Sequence, residues 1–326
     1  MEGMRWLLVG LAGLLFASCA SPGSLLPTPT VAPTSTSVPT AAPTLPSTST
    51  VAPTSTFVPT VAPTLPSTST VAPTATRPAP TATPAEVAGA VTITVLYDNN
   101  AHDERLQTAW GFSCLVEGLD ETILFDTGGE SGVLLSNART LGVDLGDVDV
   151  VVISHVHGDH VGGLPGFLQE NHAVTVYLPQ SFPGSIKDAT RGAGAELVEV
   201  HGPVEICEHV HSTGELGNGT KEQSLAIETS RGLVVITGCA HPGIVDIVRR
   251  AKELTGEQVY LVVGGFHLGD VGAPKIADIV EDFRRLGVQK VAPCHCSGDV
   301  ARRLFEEAYG EDFIPAGVGS RVEVRN

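Results

Sequence analysis

Three histidines and an aspartate lie within six residues in the run Ser154-His155-Val156-His157-Gly158-Asp159-His160-Val161-Gly162-Gly163. Imidazole nitrogens and carboxylate oxygens are the donors that borderline divalent metals such as zinc, iron and manganese take. In an extended segment His155 and His157 share a side and can chelate one ion. Beyond the turn at Gly158, Asp159 and His160 can point at a second ion nearby. Two cations about 3.5–4 Å apart share a water and lower its pKa from about 15.7 toward 7, so no serine or cysteine nucleophile is needed. The competing reading is a histidine-rich solvated loop. The run follows directly on a buried apolar strand, which favours the metal site.

The elements that must position these donors follow from the surrounding pattern. Val91 to Tyr97 alternates branched and polar residues and predicts a strand. Phe112 to Val116 and Thr122 to Phe125 predict two more, the second ending in Asp126-Thr127-Gly128-Gly129. Ser131 to Leu141 has helical spacing, with Gly142 as its stop. Val148 to Ile153 is a short apolar run suited to a strand buried on both faces. Further on, helix and strand alternate. Ile244, Ile247, Val248 and Ala251 form a helical face that stops at Gly256. Val259 to Val263 predicts a buried strand, and Ile276, Ile279, Val280 and Phe283 a helix ending at Gly287. Arg302 to Tyr309 predicts a last helix and Arg321 to Val324 a final strand. Helices covering sheets, with polar residues gathered at strand ends, is the architecture this order implies.

The metal run resembles the HxHxDH signature of the metallo-β-lactamase superfamily, and the likeness extends over residues 91–326. Asp126, in Leu124-Phe125-Asp126-Thr127-Gly128, matches the strand-end aspartate that braces the metal loop. Gly238-Cys239-Ala240-His241-Pro242-Gly243 matches the third histidine station, and Pro293-Cys294-His295-Cys296-Ser297-Gly298 the last. Together with Tyr97-Asp98-Asn99-Asn100 and Gly264-Gly265-Phe266-His267-Leu268, these runs are similar to the dihydropterin synthase-like branch. The resemblance implies an α/β fold, a four-layer αββα sandwich with its metals in a groove along the sheet edges. It also implies that His155, His157 and His241 hold one metal and Asp159, His160 and His295 the other. Two divalent ions are thereby expected, zinc first, with manganese or iron as alternatives. The chain departs from the family at the bridging aspartate. Where that residue is expected stands His267, which either replaces it or leaves the task to Asp270.

The remaining polar candidates are weaker. His102 either lines the groove or sits on a surface loop, and His172, His201, His209 and His211 read as solvated. Cys239, Cys294 and Cys296 flank the proposed ligands; filling space behind the site is preferred to ligation, since cysteine is among the most buried residue types. The five cysteines after residue 100 suggest no disulfide framework. Asn218-Gly219-Thr220 matches a glycosylation acceptor, a pattern that arises mostly by chance.

The first quarter of the 326 residues is of another kind. Arg5, the apolar run Trp6 to Phe16 and then Ala17-Ser18-Cys19 read as an export signal, too short to span a bilayer. Phe16-Ala17-Ser18-Cys19 resembles the lipobox of bacterial lipoproteins, which makes Cys19 the lipidated N-terminus. Residues 20–90 then form a Pro/Thr/Ser stalk holding 15 of the 23 prolines. Val31-Ala32-Pro33-Thr34-Ser35-Thr36 recurs 20 residues later at Val51 to Thr56. Proline at this density prevents a ladder of backbone hydrogen bonds, so the stalk is expected to be disordered. The chain is thus read as signal (1–19), stalk (20–90) and one domain (91–326). The expected location is the outer face of the bacterial cytoplasmic membrane, at the cell surface or in the periplasm.

The formal charge of −17 falls wholly on the domain and opposes binding to nucleic acid or an anionic surface. A small-molecule substrate is expected instead, with the membrane met through the lipid alone. The leading expectation is a metal-dependent hydrolase using a metal-activated hydroxide on an ester, lactone or phosphoester-type bond. Asp159 and His267 are its catalytic candidates, with either a protonated His267 or a metal-bound water as donor of the leaving-group proton. Phosphorylated pterins, which the branch name suggests, are cytoplasmic and do not match an exported domain. An iron-dependent redox or transfer enzyme of the same fold, or a non-catalytic metal-binding surface protein, are the alternatives.

Overall fold

A computed structural model describes residues 90–325. The expected signal, Cys19 and the stalk up to residue 89 lie outside the described residues. Among the described residues no helix is long and apolar enough to cross a membrane.

Two sheets form the centre. The first contains β1 (Val91–Tyr97), β2 (Ser113–Glu117), β3 (Ile123–Phe125), β4 (Val150–Val152), β5 (Thr175–Pro179), β6 (Glu196–Val200) and β13 (Arg321–Val324), in the order β13-β1-β2-β3-β4-β5-β6. The second contains β7 (Val204–Cys207), β8 (Val210–Ser212), β9 (Leu225–Thr229), β10 (Gly232–Thr237), β11 (Val259–Gly265) and β12 (Lys290–Cys294), in the order β12-β11-β10-β9-β8-β7. The strands that lead to chemistry are parallel neighbours: β3 beside β4 in one sheet, and β10, β11 and β12 in the other. Parallel strands are covered on both faces, which is why Val150-Val151-Val152 and Leu233 to Ile236 are buried at every position.

One apolar core lies between the sheets, joining Val91, Ile93, Val95, Phe125 and Val152 to Ile227, Val234, Ile236, Leu261 and Val263. A second core packs the outer face of the first sheet under α1 (Ser131–Leu141) and α3 (Leu164–Glu170) through Leu134, Ala138, Leu164 and Phe167. The short α2 (Gly158–Val161) precedes α3, and α4 (Gly184–Gly192) contacts β6. A third core seats α5 (Ile244–Thr255), α6 (Ala273–Leu286) and α7 (Asp299–Tyr309) on the second sheet, with Phe266, Phe283 and Phe305 in mutual ring contact. The architecture is therefore the expected αββα sandwich.

Element limits differ from the sequence expectation where the chain turns toward the site. The strand expected over Val148–Ile153 is Val150–Val152, because Val148 closes a 3-10 turn and Ile153 leads into the metal loop. Phe112 is not in a strand; its N–H donates to the carbonyl of Asp159. α1 ends as expected at Gly142, whose φ of 74° is reached cheaply only without a Cβ. The strands and helices between residues 164 and 229 were not foreseen.

Candidate metal centre

Six strands point their C-terminal ends at one groove: β1, β3 and β4 from the first sheet, β10, β11 and β12 from the second. Each delivers polar side chains as its ladder ends. Asp126, just past β3, is fully buried, and its carboxylate organises the metal loop. Oδ1 accepts from the Ser154 N–H at 2.6 Å, and Oδ2 accepts from the Ser154 hydroxyl and from His160 Nδ1, both at 2.7 Å. Burial pushes the Asp126 carboxyl up to about 7, against the opposing pull of His155 and Ser154.

These bonds determine which imidazole nitrogens remain free. The Ser154 hydroxyl donates to Asp126, so it accepts from His155 Nδ1 at 2.8 Å and leaves His155 Nε2 with a lone pair. That nitrogen lies 3.1 Å from His157 Nδ1. His241 completes the first cluster, its ring 4.6 Å from that of His155 and 4.7 Å from that of His157. Burial, reinforced by His160, lowers the His155 pKa to about 3 and keeps the ring a neutral donor.

His241 is held by Glu222, which the sequence analysis did not single out. This carboxylate is fully buried. Its Oε1 accepts from Thr237 Oγ1 (3.2 Å), Cys239 N (2.9 Å) and Ala240 N (2.8 Å). Its Oε2 accepts from His241 N (2.9 Å) and His241 Nδ1 (3.0 Å). Burial alone would raise its pKa, but His241, His155 and the backbone N–H groups prevail and hold it at about 2. The adjacent Gln223 ties this loop to the other sheet, donating from Nε2 to the Ile153 carbonyl at 2.9 Å.

The second cluster contains Asp159, His160, Cys239 and His295. His160 Nδ1 donates to Asp126, and His295 Nδ1 to Asn99 Oδ1 at 2.9 Å, so both Nε2 atoms carry lone pairs. They face each other at 3.2 Å, with Asp159 Oδ2 at 3.5 and 3.4 Å from them and Cys239 Sγ at 3.2 Å from His160. Burial raises the pKa of Asp159, but His295 and His160 together take it below the usual carboxylate range. Asp98, to which the Tyr97-Asp98-Asn99-Asn100 run assigned no role, accepts from the His295 N–H at 3.0 Å. The Trp110 indole, 60% exposed, lies with its ring 5.0 Å from that of His295.

His267, Cys239 and Cys296 form a third set of donors within 4.8 Å of one another. His267 is exposed, its ring 4.5 Å from that of His241, and a hydrogen bond with Cys296 raises its pKa. A Cβ on Gly265 would lie 2.7 Å from Cys296 Sγ, so only glycine permits the close approach there. Hydrogen bonding between the two cysteine side chains draws the Cys296 pKa down and pushes that of Cys239 up. Asp270 is exposed and belongs to none of the three donor sets.

The structure thus brings His155, His157, Asp159, His160, His241, His267 and His295 into one groove. Cys294 is fully buried in the core between the sheets, as the packing reading has it, whereas Cys239 and Cys296 stand among the donors. His102 and His172 are exposed, and His201, with its side chain 78% exposed, pairs with Glu215. His209 and His211 are half-buried against Glu228 rather than freely solvated. Among the described residues, four of the five non-glycine residues with positive φ lie at the groove: Asp126 (57°), Ala240 (60°), His267 (54°) and His295 (46°).

Divalent metal fits this donor set. Lone pairs and a carboxylate facing one another at 3.2–3.5 Å repel unless positive charge lies between them. Ligands 2.0–2.1 Å from a tetrahedral zinc are themselves about 3.3 Å apart. The outward nitrogens of His155, His160, His241 and His295 are all oriented by bonds to the inner ones, as metal-ligating histidines are.

Comparison with known proteins bears on the same residues. Residues 111–243, which carry Asp126, the metal loop and His241, match the metallo-beta-lactamase superfamily. A Methanocaldococcus jannaschii protein named 7,8-dihydropterin-6-methyl-4-(beta-D-ribofuranosyl)-aminobenzene-5'-phosphate synthase is 29% identical over 269 residues, covering 68% of this chain and 92% of its own. A solved structure described as a metal-dependent hydrolase of the beta-lactamase superfamily is 30% identical with a TM-score of 0.61, covering 72% of this chain and all of its own. The metallo-beta-lactamase fold protein YhfI from Bacillus subtilis is similar in fold, at 13% identity and a TM-score of 0.54, over 72% of this chain and 99% of its own.

Proposed function

The chain belongs to the metallo-β-lactamase superfamily, and from that premise we propose that it is a metal-dependent hydrolase of an ester, lactone or phosphoester-type bond. The observation that carries this reading is the pair of donor clusters meeting across the two sheets at the open end of their strands. A site serving structure alone would be closed and would need four ligands, whereas the first cluster brings three donors, which would leave a bound ion room for water or substrate.

When bound, the cations supply Lewis-acid activation of water and of the bond to be cleaved. The chain's own groups do the rest. The Asp159 carboxylate, only partly buried and facing His160 and His295, would orient the attacking water between the two clusters. His267 holds a proton on its exposed ring and delivers it to the leaving group. Trp110 and Val156, two of the three exposed large hydrophobic residues among the described residues, offer an apolar rim for the body of the substrate.

Metal analysis combined with a panel of esters, lactones and phosphodiesters tests this reading. Hydrolysis supported by zinc or manganese bears it out, and tight metal without turnover overturns it. The synthase-named relative favours a second reading, a transfer enzyme, for which an iron spectrum and a joined product are the signature. For any substrate the panel returns, Trp110→Ala is expected to raise KM about tenfold, from a lost aromatic contact of about 1.5 kcal/mol. Its kcat should stay close to the parent's. A fall in kcat at unchanged KM would instead make Trp110 a support for His295.

The proposal extends to location, where the Phe16 to Cys19 lipobox and the repeat-bearing stalk support an exported, lipid-anchored protein. Cys19→Ala is expected to move the protein from the membrane to the soluble or secreted fraction. An unchanged membrane fraction would show that Cys19 is not the anchor.

A further inference from the structure

We propose that the sulfur of Cys239 is a ligand of the second metal and supplies the anionic donor missing from the strand end at His267. The inference rests on reading the groove as a metal site. Cys239 Sγ lies 3.2 Å from His160 Nε2, and Asp159, His160, Cys239 and His295 all have donor atoms within 4.8 Å of one another. A zinc–sulfur distance of about 2.3 Å beside a zinc–nitrogen distance of about 2.0 Å brings tetrahedral sulfur and nitrogen ligands to about 3.5 Å. The residue is held in place by its backbone, since the Cys239 N–H donates to the buried Glu222 and Ala240 turns the chain with φ 60°. Space-filling does not explain its position. Cys294, at the end of the next strand but one, fills space in the core between the sheets, and no donor set contains it.

Charge points the same way. Among the second cluster's oxygen and nitrogen donors only Asp159 is anionic, so a divalent ion there would retain net positive charge. Coordination exchanges the Cys239 thiol proton, released to solvent, for the metal, and two anionic donors then balance a divalent cation. The two clusters thereby differ in kind. The second is a filled oxygen, two-nitrogen and sulfur set; the first, with three imidazoles, keeps a position open to water and substrate. A sulfur donor also favours zinc or cobalt over manganese.

Cobalt(II) reports this directly, because thiolate ligation produces a charge-transfer band in the near ultraviolet that imidazole and carboxylate do not. The full-length protein, stripped of metal and titrated with cobalt, should take up two ions and develop the band with one of them. Cys239→Ser should lose the band and bind the second cobalt about tenfold or more weakly. Cys239→Asp should restore that affinity without the band and shift preference toward manganese. Cys296→Ser should keep the band. Two bound cobalt ions without a band in the parent protein, or a band surviving in Cys239→Ser, would overturn the assignment while leaving the metal groove intact. A parent protein that binds no cobalt would overturn both.

Discussion

His241→Ala is expected to lower turnover by about 10³-fold or more and to leave the first cluster without its metal. The size follows from the donor count. His155 and His157 come from one loop, and His241 is the sole member of that cluster from the second sheet. Without it two nitrogens remain, too few to hold zinc where three protein ligands are usual. Metal stoichiometry and kcat, measured on the same preparation, check the prediction. His201→Ala is the control, because its side chain is 78% exposed and pairs with Glu215 away from the groove. Full metal and full rate in His241→Ala would detach the β10 strand end from the chemistry.

Glu222→Gln is expected to destabilise the fold by about 3–5 kcal/mol, the usual effect of removing one partner from a buried charged network. It should also weaken metal in the first cluster by about 10–100-fold through the loosened His241 ring. Both oxygens of Glu222 act as acceptors, Oε1 from Thr237, Cys239 and Ala240, and Oε2 from two groups of His241. Either orientation of a glutamine amide sets its NH₂ against at least two of these donors, so no rotation rescues the variant. Chemical denaturation and competition with a metal chelator give the two numbers. Stability within about 1 kcal/mol of the parent would mean that the network tolerates a neutral acceptor and that His241 is positioned by its backbone.

The metal loop could be read directly because its chelating residues are neighbours in sequence, and a spacing of two in extended chain is itself geometry. Asp126 and His241 required more, namely the expectation that a polar residue closing an apolar strand faces the groove. Glu222 left no such mark, and Asp98, although it closes β1 within the Tyr97-Asp98-Asn99-Asn100 run, carried no sign of which group it binds. Glu222 acts on backbone N–H groups 17 to 19 residues further along the chain, and Asp98 on the N–H of His295, 197 residues away. A carboxylate whose partners are mostly backbone N–H groups has little in the way of partner residue types to betray it. The stretch from 164 to 229 escaped for another reason. β7 and β8 are four and three residues long, and β6 reads Glu-Leu-Val-Glu-Val with most positions only partly covered. Elements so short are specified by the sheet they join, not by a periodicity of their own. The reading of Cys239 and Cys296 as packing residues followed the general habit of cysteine, which Cys294 in the same region does obey.

The left-handed turns at Asp126, Ala240, His267 and His295 also bear on how this protein can change over generations. Each turn costs about 1–3 kcal/mol that a relaxed loop would keep, and all four sit where strand ends must aim donors inward. A selection for heat resistance alone would therefore find its easiest gains in the groove. Ala240→Gly is the plainest case, since glycine takes the same turn without the clash of a Cβ. The same change frees the segment between Cys239 and His241 to wander. Durability and aim compete at these four positions. Lineages that keep the chemistry must find their stability elsewhere, in the helices that face away from the groove.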